Sequence, residues 1–128
     1  MTASQSSPAG RCTVVLVEDD DALANALRFT LEIEGWAVLF HPSGEALLAA
    51  PLPEGRICIV CDLRLPGISG LEALQELRRR GVAAPAILIT GSPTAAERRA
   101  IARARVSFVP KPLLSGELMD AIRSALAG

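Results

Sequence analysis

Hydrophobic residues follow two alternating patterns along this chain, short uninterrupted runs and longer segments with helical spacing. The runs are rich in Val, Ile and Leu, as expected of strands buried on both faces of a parallel sheet. They predict five strands, at residues 12–17, 36–40, 57–61, 86–89 and 106–109. The segments between them carry apolar residues three and four positions apart, which predicts five helices. This alternation predicts a single α/β domain with a doubly wound (βα)₅ architecture.

Capping residues mark where the predicted helices begin and end. Asp20 and Asp21 open the first helix, because carboxylates suit the unpaired N–H groups there, and Gly35 ends it. Ser92 and Pro93 have the character of an N-cap and first helical residue, which predicts a fourth helix from there to residue 104. The second, third and fifth helices are predicted at residues 43–50, between the turn at 66–67 and Gly81, and from Ser115 onward.

Composition narrows the class of protein. Half of the 128 residues are hydrophobic, which is enough for the core of one domain without disulfides or structural metals. A net charge of −1 argues against direct nucleic-acid binding, and no apolar run is long enough to cross a membrane. Residues 1–10 are polar and Ser-rich without a signal-peptide core, so we interpret them as a disordered leader and residues 11–128 as the domain.

The three cysteines do not form an even disulfide framework, which favours a reducing, cytoplasmic setting. Cys58 and Cys61 have the spacing of a metal or redox motif, but both lie within a predicted strand. Residues three apart on a strand point to opposite faces. We therefore interpret both as buried small hydrophobic residues.

Polar residues follow directly after four of the five predicted strands. They are Glu18, Asp19 and Asp20 after the first strand, Asp62 after the third, Thr90 after the fourth and Lys111 after the fifth. Because the carboxyl ends of parallel strands share one edge of the sheet, we expect these side chains to converge there. The second strand is followed only by His41, beside Pro42, which we expect to be exposed in a loop.

The expected cluster suits a divalent cation and phosphoryl transfer. Clustered carboxylates raise one another's pKa unless a cation binds between them. Glu18, Asp19 and Asp62 fit Mg²⁺ better than Ca²⁺, which needs more oxygen ligands, or Zn²⁺, which prefers His and Cys. With such a metal, Asp62 could attack phosphorus while Lys111 and Thr90 stabilise the phosphoryl oxygens.

Four motifs resemble those of two-component response-regulator receiver domains, including the chemotaxis receivers. They are residues 14–20 (VVLVEDD), 62–70 (DLRLPGISG), 89–91 (ITG) and 108–112 (FVPKP), in the right order and at the right strand ends. The resemblance spans residues 12–126. It implies the flavodoxin-like strand order 2-1-3-4-5 and a signalling switch rather than an enzyme, one that assists its own phosphorylation and slow dephosphorylation.

The resemblance also implies roles for individual residues. Asp62 would be the phosphoacceptor, with Mg²⁺ bound by Asp19, Asp62 and the backbone carbonyl of Arg64, and by Glu18 through water. Thr90 and Lys111 would bind the phosphoryl group. Phe108 would be the switch aromatic that packs inward when Thr90 moves, and the Lys111–Pro112 bond would be cis. The donor would be a sensor histidine kinase or a histidine phosphotransfer protein.

The resemblance further assigns output or dimerisation to the surface of the fourth helix, fifth strand and fifth helix. Arg99 and Arg103 form a basic stripe there, and Glu117 and Asp120 on the last helix could pair with it across a homodimer. The family often has Ala-Gly-Ala before the fifth strand, whereas this chain has Ala-Arg-Val at residues 104–106.

Three alternative functions were weighed against the receiver. A phosphate-independent receiver-like binding module would not need the complete acidic pocket. An aspartate-nucleophile phosphohydrolase would carry a second Asp two residues after the first, where this chain has Arg64. A flavodoxin-like carrier of FMN would need a Ser/Thr/Gly-rich phosphate loop after the first strand, where this chain has acidic residues.

Overall fold

The structure is a computed structural model that describes residues 12–111 and 116–127. Five strands alternate with five helices along this part of the chain. The strands are β1 (Cys12–Val17), β2 (Ala37–His41), β3 (Arg56–Asp62), β4 (Ala86–Thr90) and β5 (Ser107–Pro110). The helices are α1 (Asp21–Ile33), α2 (Gly44–Ala49), α3 (Gly70–Arg79), α4 (Ala95–Ala104) and α5 (Glu117–Ala127). No helix in the described ranges is long and apolar enough to cross a membrane.

The five strands form one parallel sheet in the order β2-β1-β3-β4-β5. This confirms the doubly wound (βα)₅ fold and the order 2-1-3-4-5. The order reverses at β1, because β2 lies on one side of it and β3 on the other. Clefts in such sheets form at the carboxyl ends of the strands beside this reversal.

Each face of the sheet has its own hydrophobic core. One core packs α2, α3 and α4 against strand residues such as Val15, Val17 and Ile59. The other packs α1 and α5 against the alternate strand residues. The prediction that Cys58 and Cys61 occupy opposite faces is confirmed, because they belong to different cores. Burial raises the pKa of each thiol to about 12, so both remain protonated.

Two local predictions were wrong. α4 begins after Thr94 rather than at Ser92 and Pro93, because the Thr94 side chain and Glu97 form a reciprocal capping box that satisfies two N–H groups. His41 is buried rather than exposed. It is the last residue of β2, pairs with Val17, and accepts a backbone hydrogen bond from the Glu18 N–H at 3.1 Å.

Several other predicted positions shift slightly or lie outside the described residues. β2 and β5 begin one residue later than predicted, and α1 uses Asp20 as its N-cap. The leader at residues 1–10, the helix start at Ser115 and the isomer of the Lys111–Pro112 bond cannot be compared, because residues 1–11, 112–115 and 128 are outside the described part.

Candidate functional site at the carboxyl edge of the sheet

The structure brings the predicted polar residues together at one edge of the sheet. Glu18 and Asp19 follow β1, Asp62 ends β3, and Thr90 ends β4. Lys111 follows β5, and its backbone N–H donates to the Thr90 carbonyl oxygen at 2.7 Å. Parallel strands in matched register end together, so the ladder itself places these side chains around one cleft.

The carboxylate of Asp62 is buried and held by two donors. Its Oδ1 atom accepts the backbone N–H of Arg64 at 3.0 Å. Its Oδ2 atom accepts a hydrogen bond from Lys111 Nζ at 2.8 Å. The side chain is 7% exposed, so the carboxylate is ordered but can still be reached from the cleft.

Glu18, Asp19 and Asp62 form a possible metal site. Each provides a carboxylate oxygen, and these three oxygens lie within 4.8 Å of one another. All three donors are hard oxygens, the ligands that Mg²⁺ prefers in proteins, so the chemistry of the cluster fits Mg²⁺.

The setting of the Glu18 carboxylate fits a cation ligand. It is 1% exposed, and its Oε1 atom has no hydrogen-bond partner among the described residues. The nearest positive charge, Lys111 Nζ, is 3.7 Å away. Burial, followed by the nearby charge of Asp62, raises the pKa of Glu18 to about 7 although the Asp20 N–H and Lys111 oppose the shift. A cation among these carboxylates would favour the ionised form.

Lys111 is the sole lysine in the sequence, since the other twelve of its 13 basic residues are arginines. Burial alone would lower its pKa. The hydrogen bond to Asp62 and the negative charges of Asp62, Glu18 and Asp19 outweigh burial and raise the pKa. The ammonium group is therefore a firmly held positive charge beside Asp62.

The hydroxyl group of Thr90 is buried and makes no hydrogen bond within the described part of the chain. Thr90 is 1% exposed, and its Oγ1 atom has no hydrogen-bond partner within the described ranges. Buried hydroxyls are usually paired, because an unmet hydrogen bond costs free energy. This hydroxyl is thus available to a group that enters the cleft.

Close packing shapes the acceptor loop, residues 63–69, between β3 and α3. A Cβ atom at Gly70 would overlap the backbone carbonyl oxygen of Asp62 and lie 2.9 Å from Cys61 Sγ. The Gly70 N–H donates to the Leu63 carbonyl oxygen at 2.9 Å. The loop is also fixed from α2, where the Glu45 carboxylate accepts the Ile68 N–H at 3.0 Å.

Three contacts around this site, made by two arginines, were not predicted from the sequence. The Arg64 guanidinium bonds to the Ser92 carbonyl oxygen and to Glu97, each at 2.7 Å. Arg98 lies over the half-buried ring of Phe108, with 5.8 Å between its Cζ atom and the ring centroid. The Thr-x-x-Glu sequence at residues 94–97 has the form of a capping box, a local signal from which Glu97 could have been located at the helix start.

Comparison with known proteins identifies the family. The family model for the response regulator receiver domain matches residues 14–123. The chain therefore belongs to the response-regulator receiver family of two-component signalling.

Its relatives include bacterial transcriptional regulators. The chain is 42% identical over 116 residues to the transcriptional regulatory protein FixJ of Azorhizobium caulinodans, covering 88% of this chain and 54% of that protein. It is 34% identical over 116 residues to nodulation protein W of Bradyrhizobium diazoefficiens, covering 90% of this chain and 51% of that protein. The chain thus spans about half the length of these two relatives.

A solved structure agrees with the fold. The crystal structure of FixJ-N matches with a TM-score of 0.79 at 34% identity, over 90% of this chain and 93% of that one.

Proposed function

We propose that this receiver accepts a phosphoryl group on Asp62 from a phosphohistidine of a sensor histidine kinase or a histidine phosphotransfer protein. The observation that carries the proposal is the setting of the Asp62 carboxylate. It lies at a strand end with Lys111 Nζ at 2.8 Å and within the Glu18–Asp19–Asp62 cluster. At the end of the neighbouring strand β4, the Thr90 hydroxyl has no hydrogen-bond partner among the described residues.

Mg²⁺ is the proposed cofactor, held directly by the carboxylates of Asp19 and Asp62 and by the backbone carbonyl of Arg64, and by Glu18 through water. When bound, it would neutralise phosphoryl oxygens and screen the repulsion between the donor's phosphate and the acidic cluster. Two features support this assignment: the donor set consists of oxygens alone, and Glu18 Oε1 has no hydrogen-bond partner among the described residues.

Asp62, Lys111 and Thr90 have different roles in the proposed phosphoryl transfer. An Asp62 oxygen attacks phosphorus, so a P–O bond forms as the P–N bond of the donor phosphohistidine breaks, and the imidazole leaves. Lys111, released from Asp62 Oδ2, pairs with the phosphoryl oxygens that carry the charge. Thr90 donates its free hydroxyl to one of these oxygens and thereby satisfies its own hydrogen bond.

The proposed output surface consists of α4, β5 and α5. Movement of Thr90 toward the phosphoryl group would open space for Phe108 to pack inward, which alters the surface that α4 and β5 present. Direct nucleic-acid binding is not part of this proposal, because the chain has a net charge of −1.

A homodimer through the output surface is a subsidiary proposal. Arg99 on α4 of one copy would pair with Asp120 on α5 of the other, where Asp120 now bonds to Arg123 of its own helix at 2.9 Å. Charge reversal tests it: Arg99→Glu and Asp120→Arg should each abolish phosphorylation-dependent dimerisation, and the double variant should restore it. Sedimentation that shows no restoration would contradict this interface.

The test of phosphorylation is intact mass after incubation with Mg²⁺ and a small acyl phosphate. We expect one added phosphoryl group in the wild type and in Asp21→Asn, a matched control on the exposed first turn of α1. Asp62→Asn should gain none, and EDTA should prevent the gain. If the folded wild type gains no phosphoryl group while another receiver does under the same conditions, the phosphate-independent binding module becomes the better explanation.

A further inference from the structure

Arg64 connects the phosphoacceptor to the start of α4. Its backbone N–H donates to Asp62 Oδ1 at 3.0 Å. Its Nη2 atom donates to the Ser92 carbonyl oxygen and to Glu97 Oε1, 28 and 33 positions further along the chain. A single residue therefore contacts the acceptor carboxylate, the β4–α4 loop and the first turn of α4.

Glu97 has two separable roles at this helix start. Its Oε1 atom accepts the Thr94 N–H at 2.8 Å in the capping box and also accepts the Arg64 guanidinium. The hydrogen bond from Thr94, followed by that from Arg64, lowers the pKa of Glu97. The capping box needs only a hydrogen-bond acceptor, which Gln also supplies. The attraction to Arg64 needs the negative charge.

The residue after Glu97 makes the second contact of α4 with the switch region. Arg98 lies over the Phe108 ring, 5.8 Å from its centroid. Adjacent residues of α4 therefore contact the acceptor loop and the aromatic side chain of β5. A displacement of the first turns of α4 must change both contacts together.

The Arg64 guanidinium can take a second anion. Only Nη2 makes hydrogen bonds, and Nη1 and Nε have no partner among residues 12–111 and 116–127. The ion pair of Arg64 and Glu97 is partly solvated, because the two side chains are 49% and 32% exposed, respectively. Ion pairs that are exposed to this degree are weak. A phosphoryl group on Asp62 would bring more negative charge and three acceptor oxygens to the same loop, and guanidinium binds phosphate strongly.

We propose that Arg64 is the positioning residue that couples the charge on Asp62 to α4. It pairs with Glu97 while Asp62 is an unmodified carboxylate, and it moves to the phosphoryl group when Asp62 is phosphorylated. This exchange releases the first turn of α4 and loosens the contact between Arg98 and Phe108. The inference rests on the proposed function, because it requires Asp62 to be the acceptor.

Amide hydrogen exchange of residues 95–104 tests whether Arg64 moves from Glu97 to the phosphoryl group. It is measured with and without Mg²⁺ and beryllofluoride, which mimics the phosphoryl group. In the wild type, loading should accelerate exchange roughly two- to fivefold, the range expected for loss of a partly exposed ion pair. Glu97→Gln keeps the helix cap but loses the attraction to Arg64. Before beryllofluoride is added, the amides of residues 95–104 in this variant should exchange faster than in the wild type by the same factor. Adding beryllofluoride should then change their exchange rates less than twofold.

The chain provides a matched control in the second capping box. Glu72→Gln makes the same substitution at the same position of α3, where Glu72 accepts the Ser69 N–H and has no arginine partner among the described residues. This variant should behave as the wild type. In the unloaded protein, Arg64→Gln/Glu97→Gln should match Arg64→Gln, because the charge of Glu97 has no arginine partner left to lose once the guanidinium is absent.

The outcomes separate this inference from the proposed function. Fluorine NMR reports whether beryllofluoride loads onto Asp62. If the wild type does not load, the proposed function fails and the inference fails with it. If Glu97→Gln loads normally and shows the full wild-type acceleration, only the coupling through Arg64 is overturned.

Discussion

Lys111 Nζ lies 2.8 Å from Asp62 Oδ2, although the two residues are 49 positions apart in the sequence. The same ammonium group lies 3.7 Å from Glu18 Oε1. It occupies the part of the cleft where a metal and a phosphoryl group would place further charges. Lys111 therefore offsets the negative charge of the acidic cluster, and in the proposed site it would compete with a cation for these carboxylates.

Replacing Lys111 with Met should change two properties in opposite directions. Phosphorylation by an acyl phosphate should slow by about 100-fold or more, because the charge that stabilises the phosphoryl oxygens is lost. The affinity for Mg²⁺ should increase by roughly 3- to 10-fold, because a competing positive charge is removed. Intact mass and calorimetric titration measure the two effects.

Arg28→Met is the matched control for Lys111→Met, since it removes an exposed cation from α1. It should leave both the rate and the Mg²⁺ affinity at wild-type values. Equal phosphorylation rates for Lys111→Met and the wild type would exclude a role of Lys111 in the transfer.

Replacing Thr90 with Val should affect signalling without reducing the stability of the fold. Thr90→Val keeps the shape of the side chain and removes a buried group that has no partner in the described structure. The free energy of unfolding of the unphosphorylated protein should stay the same or rise by up to about 1 kcal/mol. The phosphorylated protein should lose the response of α4 and β5 in amide exchange.

Urea unfolding and amide exchange on the same samples test this separation. If the free energy of unfolding of the unphosphorylated Thr90→Val protein falls by more than about 1 kcal/mol, the Thr90 hydroxyl already makes a hydrogen bond. That result would contradict the geometry.

The pKa of Glu18 predicts how the stability of the metal-free protein depends on pH. Because the folded-state pKa of about 7 exceeds the ordinary 4.5, the folded protein binds this proton more tightly than the unfolded chain. The stabilisation is complete below about pH 4.5 and is lost as pH rises through about 7. The free energy of unfolding should fall by on the order of 3 kcal/mol over this pH range. Added Mg²⁺ should restore stability at pH 8, because it binds the ionised carboxylates of the folded protein.

Urea unfolding in EDTA between pH 5 and pH 8 measures this loss, with Glu18→Gln as the key variant. Glu18→Gln should lose much less stability over this range, whereas Glu32→Gln on the exposed side of α1 should follow the wild type. Burial lowers the pKa of His41 and gives a contribution of opposite sign below about pH 6.5, which cancels in the comparison. Parallel curves for wild type and Glu18→Gln would contradict the prediction.

Adding a single methyl group at Gly70 should have a strong effect on stability. In Gly70→Ala the new Cβ would overlap the Asp62 carbonyl oxygen, which is backbone and cannot rotate away. We expect a loss of about 2–4 kcal/mol in the free energy of unfolding and slower phosphorylation, because the acceptor loop must shift. Gly91→Ala is the control, since its Cβ would meet nothing within 4 Å. Similar stabilities for both variants would show that the loop adjusts freely.

The sequence predicted most of the fold and the composition of the cleft because both depend on local patterns. Buried parallel strands are continuous apolar runs, and their carboxyl ends meet, so the residue after each run indicates a shared edge. Glu18, Asp62 and Thr90 were located in this way, by position relative to a strand.

The errors and omissions concern features that only tertiary structure decides. Ser92 and Thr94 are both acceptable N-caps, and the reciprocal bonds with Glu97 select Thr94. His41 became buried because β2 extends one residue further than predicted, to the end of the pairing with β1. The contact of Arg64 with Glu97 crosses 33 residues, and no local pattern specifies which arginine reaches which carboxylate.

The departure from Ala-Gly-Ala has a conformational consequence at Arg105. This residue ends α4 in the left-handed conformation with φ of 55°, the only non-glycine residue with positive φ in the described ranges. Side chains other than Gly cost roughly 1 kcal/mol there. Arg78 compensates by donating to the carbonyl oxygens of Ala104 and Arg105 at the end of α4.

Arg105→Gly should therefore stabilise the protein by about 0.5–1 kcal/mol, because Gly adopts this conformation without strain and keeps the carbonyl that Arg78 binds. Arg103→Gly, two residues earlier within α4, should instead destabilise it by about 1 kcal/mol through lost helix propensity. Urea unfolding of both variants measures the difference. If Arg105→Gly is destabilising, the Arg105 side chain makes a contribution at the end of α4 that exceeds the relief of its backbone strain.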